Sequence, residues 1–66
     1  MEHKISKRIM RKALKSLSKR FAKEGLEKKD FAFVAAWIDE FSNCLLFNVI
    51  KENSPYYKST VGYKLS

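Results

Sequence analysis

The side chains best equipped for chemistry in this chain are its cations. Nine of them, Lys4, Lys7, Arg8, Arg11, Lys12, Lys15, Lys19, Arg20 and Lys23, fall between residues 4 and 23 with no acid among them. Lysine and arginine at that density neutralise phosphates and release the counterions condensed on them, so the chemistry implied is polyanion binding rather than bond making. Like charges at i, i+4 weaken an isolated helix by about 0.2–0.5 kcal/mol per pair, so helix stability alone does not account for the run. The bland alternative is a solvated face that keeps a small apolar protein in solution.

Groups that could make or break bonds are scarce. Asp39 and Glu40 are adjacent in sequence, which on a helix turns them about 100° apart and prevents them from acting as a carboxylate pair. Cys44 is the single cysteine and His3 the single histidine, so an internal disulfide is excluded and no cluster has zinc-ligand spacing. Glu40, Asn43 and Cys44 share a helical face at i, i+3 and i+4 but lack a second base to activate the thiol. Gly25 and Gly62 are isolated, so no glycine-rich phosphate loop is present. The expectation is a non-enzymatic protein with no metal and no cofactor.

The cations need an element to line them up. Ile5, Ile9, Ala13, Leu17 and Phe21 form an i, i+4 ladder that Met10 and Leu14 widen, which predicts an amphipathic helix over 4–24. Gly25 ends it by taking the left-handed conformation, with Leu26 placed to touch Phe21. Asp30 then reads as the N-cap of a second helix over 30–52. That segment contains FAFVAAWIDEFSNCLLFNVI from Phe31 to Ile50, a run apolar on more than one side that a lone helix cannot hide. The short connection favours an antiparallel hairpin. In the C-terminal segment, residues 54–66, the chain beyond Pro55 alternates with a period of two around Tyr57, Ser59, Val61, Tyr63 and Leu65. They are read first as an extended C-terminal arm packed on the hairpin, with strand pairing to a second copy or to a partner's sheet as alternatives.

A chain of 66 residues with net charge +7 and 45% hydrophobic residues makes one domain at most, and without disulfides or metal it gains most from a partner chain. The predicted architecture is therefore all-α, an antiparallel two-helix hairpin with an extended C-terminal arm, dimerising into a four-helix arrangement through Phe33, Trp37, Phe41, Leu45 and Phe47. The charged N-terminus predicts no secretory signal. The acids Asp39 and Glu40, each costing about 2.5–3.5 kcal/mol at a bilayer centre, argue against a membrane span. The free cysteine suits a cytoplasmic setting.

The predicted function is a small basic regulator that binds DNA or RNA through Lys7, Arg8, Arg11, Lys12, Lys15, Lys19 and Arg20. Asn and Gln are missing from the first helix, so the contact expected is with phosphates rather than base edges. Tyr56, Tyr57 and Tyr63, interleaved with Lys58 and Lys64, offer packing first and stacking on unpaired bases second. The competing class is an adaptor or inhibitor that docks its aromatic helix and basic face on an acidic protein surface. A third is a membrane-surface or antimicrobial amphipathic peptide.

Overall fold

The computed structural model describes residues 6–38, 40–41 and 43–65, which form one helix followed by a three-stranded antiparallel sheet. Helix α1 spans Lys7–Arg20, and strands β1, β2 and β3 span Phe31–Ile38, Asn43–Val49 and Thr60–Lys64 in the sheet order β1-β2-β3. The all-α expectation is thereby overturned. Among the described residues there is no helical hairpin, and no second helix from which a four-helix dimer could be built.

The start and end of α1 follow from local chemistry. The Ser6 hydroxyl accepts from the Ile9 N–H at 3.1 Å, satisfying one of the donors that a helix start leaves unpaired. After Arg20 a 3-10 turn, Ala22–Glu24, carries the chain to Gly25 at φ 75°. There Gly25 N–H donates to the Ala22 carbonyl at 3.0 Å and Leu26 N–H reaches back to Phe21 at 3.4 Å, the bonding pattern of a Schellman cap. Lys51 Nζ adds a bond to the Gly25 carbonyl at 2.9 Å. Glycine is needed here because other residues pay a steric penalty for that φ.

Asp30 does not cap a helix. It closes a second 3-10 turn, Lys28–Asp30, in which its carboxylate accepts from the Glu27 N–H at 2.8 Å. Its carbonyl accepts from the Ile50 N–H at 2.9 Å, so the residue expected to start a helix instead ties the start of β1 to the end of β2.

The run from Phe31 to Ile50 holds two paired strands, β1 and β2, in place of one helix, and the reason is burial. As one helix it would present apolar side chains in every direction, and 66 residues offer too little else to cover them. Folded back on itself as a hairpin, it needs only one cover. Leu45, Phe47 and Val49 alternate with Cys44, Leu46 and Asn48, and the first set is 0–1% exposed beneath α1. The pairing register moves between Phe33 and Ala35, a bulge at Val34 that keeps both Phe33 and Ala36 on the covered side.

The segment expected as a packed arm supplies β3, whose Tyr63 and Val61 pair with Leu45 and Phe47 of β2. Its period of two was the readable signal; its partner is this chain's own hairpin. The core gathers Ala13 and Leu17 of α1 with Leu26, Phe31, Leu45, Phe47 and Val49, flanked by Ile9, Met10, Leu14, Phe21 and Tyr56. Tyr56 meets Phe21 edge-on at 5.5 Å between ring centroids.

Candidate nucleic-acid interface

Ala13 and Leu17 face the sheet, both fully buried. At about 100° per residue, Arg8, Arg11, Lys12, Lys15 and Lys19 then fall within an arc of about 100° centred on the opposite side. All five are exposed. From Arg8 to Lys19 the stripe is about 16 Å long at roughly 1.5 Å per residue, enough to span several phosphates of a strand. No cation of α1 is in an ion pair among the described residues; the pair present there joins Lys29 to Glu27 at 3.5 Å, outside the helix. Residues 24–66 hold five cations and six acids, so the positive charge of the molecule belongs to α1.

One edge of the stripe borders β3. Lys12, Lys15, Ser16 and Lys19, at i, i+3, i+4 and i+7, line a shallow recess of about 400 Å³ whose far wall is Tyr63. The three lysines, the serine and the tyrosine that line this open recess are side chains whose polar ends donate hydrogen bonds to a phosphate group. A recess of about 430 Å³ on the other flank of α1, lined by Ser18, Leu26, Glu27, Lys28 and Lys29, has less of that bias because Glu27 pairs with Lys29, one of its two lysines.

Two of the seven basic residues expected at the interface stand apart. Arg20 lies toward the sheet, where Nη2 donates to the Gly62 carbonyl at 2.8 Å and the guanidinium sits 5.5 Å from the Phe21 ring centroid. Its geometry is that of a clamp between α1 and β3. Lys7 sits on the flank of the helix, about 40° from Arg11 and farther from the remaining four. Lys4 and His3 lie outside the described residues. Sequence reasoning missed Ser16, and it read Tyr63 as tail packing or a base stacker rather than as a neighbour of the α1 lysines. Ser16 was readable from its i+4 spacing to Lys12, whereas Tyr63 joins only through the pairing of β3.

The aromatic residues expected to form a partner interface are divided between two environments. Leu45 and Phe47 are fully buried in this chain's own core, while Phe33, Trp37 and Phe41 are 44%, 57% and 90% exposed. Phe33 meets Phe47 edge-on at 5.7 Å. Trp37 pairs with Cys44, on the face of the sheet turned away from α1. Of the tyrosines, Tyr56 and Tyr63 pack against the core, and Tyr57, 40% exposed, lies under Lys58 Nζ at 5.5 Å.

Glu40 is exposed in the hairpin loop rather than on a helix, and Asp39 lies outside the described residues. Among the described residues no group of three His, Cys, Asp or Glu side chains could hold a metal ion, and no helix is long and apolar enough to cross a membrane. No family model matches the sequence, and no match emerges among curated proteins or solved structures.

Proposed function

We propose that this protein is a small non-enzymatic regulator that binds nucleic acid through phosphate contacts of α1. The observation that supports the reading most is the acid-free, outward-facing stripe of Arg8, Arg11, Lys12, Lys15 and Lys19, carried by a helix whose other side is committed to the core. The helix needs none of these five cations to fold against the sheet. Lys12, Lys15 and Lys19 converge with Ser16 and Tyr63 on the recess beside β3, the expected seat of one phosphate, while Arg8 and Arg11 extend the contact along the backbone. Such a contact is sequence-tolerant, because phosphates position a protein without reporting base identity. The expected setting is the cytoplasm.

The variant Arg11→Gln/Lys15→Gln/Lys19→Gln tests the reading. It should keep the circular dichroism spectrum of the parent and lose affinity for a random duplex by roughly tenfold or more as three phosphate contacts disappear. Affinity equal to that of the parent would overturn the proposal. The exposed Phe33, Trp37 and Phe41 favour a second reading, an adaptor that docks aromatic surface on a larger protein; the same variant would then leave partner binding intact.

A further inference from the structure

We infer that the recess between α1 and β3 seats one unpaired base beside its phosphate, which narrows the proposed function, on which this rests, to single-stranded nucleic acid. The size and lining of the recess exceed what a phosphate alone calls for. About 400 Å³ is open there, within the range of about 300–1,000 Å³ typical of small-molecule sites and more than one phosphate group fills. Its wall is also mainly apolar. A phosphate gains nothing from such a wall, whereas every nucleobase has a π-face to lay against one.

The residues that line the recess supply both kinds of surface. Lys12, Lys15 and Lys19 follow one another along about 10 Å of α1. A lysine side chain is apolar along its stem and charged at its tip, so the same residue can offer wall to a base and a cation to a phosphate. Tyr63 closes the far side from β3. Its ring packs partly against the core, and among the described residues its hydroxyl makes no hydrogen bond, so the fold leaves the outer part of this side chain to the recess. Arg20 holds β3 in place, its Nη2 donating to the Gly62 carbonyl beside Tyr63 at 2.8 Å. The recess is thus formed before a ligand arrives, which lowers the cost of binding. An aromatic wall facing a row of cations is the combination by which single-strand binders hold bases and backbone together.

Other anions match only part of this surface. A duplex keeps its bases paired and stacked, so it meets the stripe with phosphates but leaves the recess empty unless a base is extruded. An acidic protein side chain brings charge for the lysines and no ring for Tyr63. A free nucleotide fills the recess and leaves Arg8 and Arg11, exposed farther along the same stripe, without an anion. A single strand has all three parts: a base for the recess, its phosphate for the lysines, and further phosphates for the arginines.

Fluorescence anisotropy of the full chain with three probes of equal length tests this. They are a thymidine strand of about twelve nucleotides, within the site sizes of single-strand binders, an abasic strand with the same phosphates, and a duplex. The parent should bind the thymidine strand about tenfold more tightly than the abasic one, the usual effect of one stacked base. Tyr63→Leu should remove that difference and leave duplex affinity unchanged, whereas Tyr63→Phe should keep it. A parent that binds both single strands alike overturns the inference, while its binding to the duplex upholds the proposed function. A difference undiminished in Tyr63→Leu also overturns it, because the base is then held elsewhere. If Tyr63→Leu does not fold, ultraviolet cross-linking of the parent to a bromodeoxyuridine strand decides: attachment at Tyr63 supports the seat, and attachment only at other aromatic residues overturns it. A parent that binds none of the three probes overturns the proposed function and this inference together.

Discussion

The two faces of the sheet are built from alternate residues of the same three strands, yet they differ in what they do. On the covered face Leu45, Phe47 and Val49 meet Ala13 and Leu17 of α1, and none of the five is more than 1% exposed. On the open face Cys44, Leu46 and Asn48 are only partly buried, and the rungs end in Ala35, Trp37, Gly62 and Lys64. The difference teaches where the information in this chain lies. The covered face determines the fold, while α1, in covering it, is left with its cations facing outward, so one packing decision also creates the candidate interface.

The comparison breaks most readily at Phe47. Phe47→Ala on the covered face should cost about 3–5 kcal/mol, comparable to the whole stability that a core of this size supplies, and urea denaturation should find the variant largely unfolded. Leu46→Ala, one residue away on the open face, should lower the same midpoint by less than half as much. Equal losses would mean that the two faces are not energetically distinct.

Next in size is the loss of outward charge. Arg11→Gln/Lys15→Gln/Lys19→Gln should leave the urea midpoint near that of the parent while binding weakens roughly tenfold or more. Parallel loss of stability and binding would show that the stripe also serves the fold. Two smaller effects concern the features that hold α1 over the covered face. Gly25→Ala forces a side chain into the left-handed region and should cost about 1–2 kcal/mol, seen as a lower thermal midpoint. Arg20→Gln removes the bond to the Gly62 carbonyl, a solvent-exposed contact worth about 1 kcal/mol or less. It should lower stability slightly and nucleic-acid affinity much less than the triple variant. A drop in affinity matching the triple variant, at unchanged stability, would make Arg20 a phosphate contact after all.

The helix was legible and the sheet was not, for reasons that particular residues explain. Ile9, Ala13, Leu17 and Phe21 repeat at the helical period, and Gly25 supplies the stop, because an element with one buried side writes its period into the sequence. In β1 the bulge at Val34 interrupts the alternation that would have announced a strand. In β2 the open face carries Leu46 and Cys44 rather than charges, so CLLF within it reads as a continuously apolar run. Asp39 and Glu40, which fall in the sequence between β1 and β2, could as well be read as the polar strip of one helix. The strand-like alternation near the C-terminus was visible in Val61 and Tyr63, but pairing with β2 could not be seen while β2 was taken for a helix. The stripe on α1 survived that error because it depends on one helix alone. The recess beside it did not, since Tyr63 reaches it only through the sheet.

The central claim is that α1 neutralises phosphates, and its most direct test is the affinity of the parent protein for a random duplex and a random single strand across a salt series, read by fluorescence anisotropy. The account predicts that log affinity falls linearly with log salt, by about 0.9 per phosphate on duplex or about 0.7 on a single strand, to a total matching three to five contacts. In the triple variant the duplex slope should be shallower by about 2.7. A parent that shows no measurable binding near physiological salt, or a slope that does not change in the variant, would contradict it.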